Sequence, residues 1–525
     1  MEYGLDQSFK IYSGGLGILA GDILKAAHDL NKPMVGIGIL WRQGYVEQKI
    51  DEQGRPCDTY HEYSYDFLKD TGVTVTVKIR SKKLKLKVWL CDCFGNVPLY
   101  LLDANLPENG DRLITGQLYG WFNEERIAQE VILGVGGVRA LRALGIEPDI
   151  YHFNDSHPMF AGFELISERM KAGESFEQAY QNVRKSIVFT THTPVPAGNE
   201  CHPLRLISYM SDRCGLTLDQ LKFIGGSPFN MTVAGLRLSY IANGVAKLHA
   251  RTAKKMWADV EDCAPIIAVT NGVHNGTWQN EKIVNAFNQN KPLLTEHEKI
   301  KKDMLAEVKR RCPGANLRDD VLTIGFARRA APYKRGTLIF SQPEKLLPLF
   351  EQNRIQIIFS GKAHPNDLAG KEIVRKMYQL SVDYTDNVVF VPDYDMTVGR
   401  LLTSGCDIWL NNPVRPMEAS GTSGMKAAMN GVLNFSVLDG WWPEGCEHGV
   451  NGWQIGGGYE GKNADKHDAD SLYATLENEI IPTYYGDKNK WEQMMRASIE
   501  MSSQQFSAAR MVEDYYKKMY SKKPR

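Results

Sequence analysis

The sequence predicts an α/β protein of two parallel-sheet domains facing one cleft, with a β-rich insertion in the first domain. Three observations carry that expectation. The 525 residues suit about two to four domains with well-buried cores. Short β-branched apolar runs alternate with helix-length amphipathic stretches, the pattern of a parallel sheet covered on both faces. Polar residues gather directly after the apolar runs, where the loops of such a sheet converge.

In the second half the apolar runs are VLTIGFARR from Val321, IQIIFSGK from Ile355, NVVFVPDY from Asn387, CDIWLNNP from Cys406 and GVLNFSVLDG from Gly431. AGKEIVRKMYQLSVDY and DMTVGRLLTSG lie between them and read as helices. In the first half PMVGIGIL, DIYHFND, SIVFTTHT and IIAVTNGV read as strands, and NEERIAQEVILGVGGVRALRALG as a long helix. VTVTVKI, KLKLKVWL and VPLYLLD alternate as antiparallel strands do, which marks residues 48–106 as an inserted β region. The polar stretch from Lys291 to Asp320 reads as the passage between domains. The expected division is 1–295 for a Rossmann-like N-terminal domain and 296–490 for a Rossmann-like C-terminal domain. Residues 491–525 then form a helix that crosses back to the first domain.

Composition excludes several classes. Lys+Arg and Asp+Glu both number 62, so net charge is zero, and the sequence pI is about 7.2. Such a chain has no global field for a polyanion, which disfavours nucleic acid as a partner. Charged residues at 24% and hydrophobic residues at 43% are ordinary for a globular protein and disfavour disorder. The most apolar stretch, Met34 to Trp41, is too short to span a bilayer. MEYGLDQSFK lacks a basic segment followed by an apolar run, so no secretory signal is expected. The nine cysteines are scattered without a CxxC pair, and Cys91 and Cys93 are two apart, one face of a strand. They are expected as buried thiols in a reducing cytoplasm, with no metal site.

Three segments carry chemistry. SGGLGILAGD, from Ser13 to Asp22, brings Gly14, Gly15 and Gly17 before a helix pattern, so backbone N–H groups can meet an anion. As GxGxxG it is a poor dinucleotide fingerprint, because the spacing is wrong and almost no strand precedes it. GFARRAAPYKRG, from Gly325 to Gly336, crowds Arg328, Arg329, Lys334 and Arg335 after a strand. Cations this close repel unless an anion sits among them, and Arg suits bidentate phosphate contacts. In NNPVRPMEASGTSGMKAAMNG, from Asn411 to Gly431, Lys426 follows a Gly/Thr/Ser turn among small and apolar neighbours. A desolvated lysine there has a lowered pKa and can form an imine with a carbonyl beside an anion seat, which points to pyridoxal phosphate.

With these residues in view, EASGTSGMKAAMNG resembles the pyridoxal-phosphate lysine segment of the α-glucan (glycogen, starch, maltodextrin) phosphorylases, in a short bacterial-type form. The Gly-rich segment, HFNDSHP, THTP, TNGVHNGTW and ARRAAPYKR match that family in order, from Met1 to about Gly457. The resemblance implies the GT-B arrangement of two facing Rossmann-like domains. It also implies pyridoxal 5'-phosphate on Lys426, with Thr422, Ser423, Gly15 and Arg328 at its phosphate. Trp278 and Tyr394 would lie beside the cofactor; the next residue, often Arg in relatives, is Asp395 here. Arg329 and Lys334, with Gly14 and Gly15, match the substrate-phosphate positions. His192, Asn271, Glu418, Ser420 and Gly421 match glucosyl contacts, and Asp155 and His157 the family's NDxHP segment near the sugar.

The implied reaction is phosphorolysis of terminal α-1,4 links of a glucan by inorganic phosphate, releasing glucose 1-phosphate with retention. Lys426, Arg329, Lys334 and His192 would carry it, with the cofactor phosphate assisting proton transfer. The residue types agree: a hydrolase needs two carboxylates flanking the bond, and these motifs supply cations and backbone donors with Glu418 alone. Two other readings stand beside it, a nucleotide-sugar-dependent glycogen or starch synthase and a glucan-binding relative without activity. The family is often dimeric, which leaves a homodimer open, and no effector regulation is expected. The family places a strand before the Gly-rich segment, of which only Met1 to Tyr3 could remain, so a version extended upstream is expected to be more stable.

Overall fold

The computed structural model describes residues 1–120, 123–195 and 198–521. The chain divides into two compact units. Unit 1 holds Met1–Tyr45, Tyr60–Thr270 and Met511–Arg525; unit 2 holds Val46–Thr59 and Asn271–Arg510.

Unit 2 is the simpler in design. Six parallel strands run Leu322–Ala327, Ile355–Ser360, Val388–Val391, Ile408–Asn411, Leu433–Val437 and Gly452–Ile455. Numbered along the chain, they lie in the order 3-2-1-4-5-6. Every residue of the first five is buried, as a sheet covered on both faces requires. Leu322, Ile324, Phe326, Ile357 and Phe359 join one apolar cluster, while Ala327, Ile358, Val389, Val391 and Trp409 join another. That alternation is the period-two pleat seen from both sides. The order reverses between the first and fourth strands, and loops leaving a reversal point part to open a crevice. A short antiparallel hairpin, Glu47–Ile50 with Pro56–Thr59, also belongs to this unit, and Ile50 packs on its core.

Unit 1 carries two four-stranded sheets. One is parallel, in the order Ile266–Ala268, Ile241–Gly244, Ile187–Thr191 and Tyr151–Asn154. The other is mixed: Gly36–Ile39 pairs parallel with Leu99–Asp103, which continues antiparallel to Lys82–Cys91 and Lys69–Ile79. The long helix read at residues 123–145 is interrupted. Helices Asn123–Val131 and Gly137–Ala143 are joined by a π-helical turn at Ile132–Gly136. A Cβ on Gly134 would lie 2.5 Å from the backbone nitrogen of Ala161, so close packing on the next helix accompanies the widened turn.

The cysteine expectation is corrected. Among the described residues all nine thiols are free; Cys91 and Cys406 are buried, whereas Cys57, Cys93 and Cys201 are exposed. Cys91 ends its strand and Cys93 lies beyond it, so the two do not share a strand face. Among the described residues no helix is long and apolar enough to cross a membrane.

Candidate active site

Unit 2 collects its polar side chains at the reversal point. Arg328 directly follows the first strand, and its amide still reaches Ser360 O at 3.2 Å, which directs the side chain toward the fourth strand. There Nη1 donates to Oδ1 of Asn411, the last residue of that strand, and Nη2 donates to Glu418 Oε2 at 2.8 Å. Lys334 Nζ donates to the same carboxylate oxygen. Burial alone would raise the Glu418 carboxyl, but Arg328 and Lys334 outweigh it and hold the group at about 2. The anion among the crowded cations is therefore the protein's own glutamate. Arg335 turns away to Asp465 and Asp468, and Arg329 is exposed.

Glu418 is held from behind. Its amide donates to Asp439 Oδ2 at 2.8 Å, and Gly440 N donates to Oδ1 of the same residue at 2.8 Å. Burial pushes the Asp439 carboxyl up to about 7. Gly440 has φ +57, and a Cβ there would lie 2.2 Å from Ser420 O, so only glycine lets these two loops touch. Gly421, at φ +82, lies beside the Glu418 side chain.

Lys426 lies on the short helix Ser423–Met429 and is 6% exposed. Its Nζ stands 3.5 Å from the centroid of the Trp278 ring, a cation–π contact in a desolvated place. Asn430 locks the pair, donating from Nδ2 to Trp278 O and to Lys426 O at 2.9 Å each. Ser423 Oγ accepts from Trp409 Nε1 at 3.2 Å, and Thr422 precedes the helix as its first flanking residue. A Cβ on Gly399 would meet both Tyr394 Oη and Trp278, so both rings pack beside that glycine. Burial pushes the Tyr394 phenol up to about 12. Asp395 caps the helix Met396–Gly405 by accepting from Val398 N at 2.8 Å.

The residues of unit 2 fit pyridoxal phosphate. A buried primary amine suits the carbonyl, and guanidinium and hydroxyl donors suit the phosphate. Arg328 Nε and Ser420 Oγ are buried with no protein partner among the described residues, and so is Asn271 Oδ1. Native proteins rarely leave such atoms unmatched unless a ligand or water meets them.

Unit 1 holds the other candidates. Gly15 opens the helix Gly15–Asp29, and a Cβ on Gly14 or Gly15 would touch nothing within 4 Å. The turn before it grips a carboxylate: Glu2 Oε2 accepts from Ser13 N at 2.5 Å, Ser13 Oγ at 3.0 Å and Gly14 N at 3.2 Å. Asp155 sits at φ +68, with burial raising its carboxyl to about 6. His192 Nε2 meets Asn154 Oδ1 at 2.6 Å, so that nitrogen carries the proton; burial, with His249 and His152, holds the ring neutral down to about 3. His157 is likewise pushed down by burial and by Arg126.

Sequence reasoning passed over the surroundings of His157. Arg126 Nη2 reaches its Nδ1 at 3.0 Å, and Arg126 Nε donates to Glu200 at 3.0 Å. Glu130, His157 and Glu200 offer ligand atoms within 4.8 Å of one another, a spacing that suits a metal. The Arg126 guanidinium already supplies the positive charge there, bonded to Glu200 and His157 and 3.4 Å from Glu130. Arg126 and Glu130 are four apart on one helix, which in sequence reads as a solvated pair. Asn411 and Asp439 were also missed, because sheet order alone brings them to Arg328 and Glu418.

Fold and residues together define a doubly wound α/β enzyme that gathers buried titratable groups at the reversal of its parallel sheet. A family model described as carbohydrate phosphorylase matches residues 279–444. The chain is 40% identical to a maltodextrin phosphorylase of Thermococcus litoralis, over 99% of this chain and 70% of that protein. It is 36% identical to a glycogen phosphorylase of Aquifex aeolicus, over 99% and 85% respectively. It is 35% identical to an uncharacterized protein of Methanocaldococcus jannaschii, over 99% and 98%. The chain belongs to the carbohydrate phosphorylase family.

Proposed function

We propose that the protein is an α-glucan phosphorylase, a glycosyltransferase that cleaves terminal α-1,4 links of glycogen, starch or maltodextrin with inorganic phosphate and releases glucose 1-phosphate with retention. The observation that carries the reading is the buried Lys426 against Trp278, in one unit with the Arg328–Glu418–Lys334 cluster. A nucleotide-sugar transferase needs no such lysine.

Pyridoxal phosphate fits as the resident cofactor, and when bound its phosphate supplies an acid–base group next to the substrate phosphate. Lys426 would hold it, with Trp278 and Tyr394 beside it and Arg328, Thr422, Ser423 and Gly15 toward its phosphate. Arg329 and Lys334, with the backbone of Gly14 and Gly15, take the substrate phosphate. Arg329 is exposed and ready for an anion, while Lys334 shares Glu418 until one arrives. Glu418, Ser420, Gly421, Asn271 and His192 hydrogen-bond the glucosyl unit, with Asp155 and His157 in support. A neutral His192 with its proton on Nε2 orients substrate rather than carrying charge. Positive charge gathered before substrate arrives needs no reorganisation as charge develops in the transition state. The reading includes the GT-B arrangement of two Rossmann-like domains and a cytoplasmic location.

Maltodextrin incubated with inorganic phosphate and the protein should release glucose 1-phosphate. The purified protein should also show pyridoxal absorbance and fluorescence, and Lys426→Ala should abolish both. Binding of glucan without product or pyridoxal signal would replace this reading with that of an inactive relative.

A further inference from the structure

We propose that Gln48, on the hairpin Glu47–Ile50/Pro56–Thr59, is a positioning residue for the loops that carry Arg328, Arg329 and Tyr394. The inference rests on the functional reading above and adds a residue that no motif contains.

Gln48 is 2% exposed, although it is polar and sits on a short two-stranded hairpin. Its side-chain amide reads both backbone groups of one residue. Oε1 accepts from Ala363 N at 2.9 Å, and Nε2 donates to Ala363 O at 3.2 Å. Ala363 is thereby satisfied as a strand partner would satisfy it. Nε2 also donates to Asp58 Oδ1 at 2.8 Å, across the hairpin, which fixes the amide's orientation. The backbone N–H of Gln48 donates to Asp393 Oδ1 at 3.2 Å.

Two short paths leave these contacts. The first runs through the loop after the second strand. Lys362 O accepts from Ala330 N at 2.8 Å, and a Cβ on Gly361 would lie 2.4 Å from Arg328 O, so this loop is seated on the Arg328–Ala330 backbone. The second runs through Asp393, held at φ +56 directly before Tyr394 and paired with Lys362 at 2.6 Å. Lys362 Nζ closes the frame by donating to Val46 O at 3.1 Å. One buried residue therefore meets two loops that follow strands of the same sheet, the first through its side-chain amide and the second through its backbone N–H. A residue misplaced by an ångström near reacting groups loses much of its effect, so a residue that sets such loops is expected to act on phosphate and cofactor binding. The hairpin has a second tie, the ion pair of Lys371 with the other oxygen of Asp58, which bypasses Ala363 and Asp393 and serves as a control.

In the whole protein, Gln48→Leu keeps the bulk and removes the side-chain polar contacts. Hydrogen exchange should then speed at Ala330 and Ala363, and less at residues 393–395, because the backbone N–H of residue 48 still reaches Asp393; the dissociation constant for pyridoxal phosphate, read by tryptophan fluorescence, should rise about tenfold. KM for inorganic phosphate should rise by a similar factor with kcat within about threefold, and Lys371→Met should leave all of these within about twofold. Gln48→Glu, which sets a carboxylate oxygen against Ala363 O and the Asp58 carboxylate, should shift these readouts at least as far, and it stands in if Gln48→Leu does not fold. Unchanged exchange and cofactor affinity in the folded variant would overturn the proposal, as would equal shifts in Lys371→Met. If the wild type releases no glucose 1-phosphate, the functional reading fails, and the exchange arm still decides whether Gln48 sets the loops.

Discussion

A single oxygen of Glu418 accepts from both Arg328 and Lys334 in a buried place. Removing one partner of such a cluster leaves uncompensated charge, so Glu418→Gln should destabilise the protein by about 3–5 kcal/mol in urea unfolding. Inorganic phosphate should raise the midpoint of that variant more than that of the wild type; equal shifts would show that these cations do not seat an anion. The same groups set the response to pH. Glu418 is held at about 2 and His192 at about 3, both below their unfolded values, so the native state binds fewer protons than the unfolded chain in acid. Their contribution is present above about 4.5 and 6.5 respectively and is lost as pH falls toward the folded values. Asp439 has the opposite sign. Raised to about 7, it contributes below about 3.9, and that contribution is lost as pH rises through 7. Asp439→Asn should flatten the decline of melting temperature between pH 4 and 8, whatever it does to the absolute value; an unchanged slope would sink the assignment. The segment carrying Glu418 and Lys426 stands out in sequence because glycines, hydroxyls and one lysine are compressed into a few residues. Which oxygen meets which cation is not legible there, since Asn411 and Asp439 become neighbours only through sheet order.

At the scale of elements, two glycines that look alike in sequence behave differently. Gly440→Ala places a Cβ 2.2 Å from Ser420 O at a positive φ, and should cost at least about 2 kcal/mol and distort the Glu418 loop. Gly15→Ala meets nothing within 4 Å and should change the melting free energy by less than about 1 kcal/mol. Thermal unfolding of the pair checks both. Five of the six parallel strands of unit 2 are visible as apolar runs because both faces of that sheet are buried. The strands Ile241–Gly244 and Gly452–Ile455 are not, for physical reasons. In the first, Asn243–Gly244 reads as a turn signal, yet Asn243 is buried and satisfied by Thr190 Oγ1 at 2.6 Å. The second is four residues long and begins with glycine, so it offers no period to detect.

For the whole molecule, equal numbers of cations and anions say little about the site, where Arg328, Arg329 and Lys334 gather, but they do govern behaviour in solution. Solubility should be lowest near pH 7.2 and rise on either side, as a titration of soluble protein at low salt can test. The division into units is the feature least legible in sequence. Residues 48–59 read as part of the inserted β region of the first domain, but tertiary contacts group them with residues some three hundred positions later.

That grouping has a consequence for synthesis. Asp393, which Gln48 contacts, follows it by 345 residues. At about 5–20 residues per second, a ribosome needs roughly 20–70 s to make that stretch. During that time the hairpin waits without partners, and unit 1 in turn cannot close until residues from Met511 emerge. The nascent chain thus carries two unfinished bodies at once. Its most exposed moment for capture by chaperones or proteases falls late in translation, not at its start.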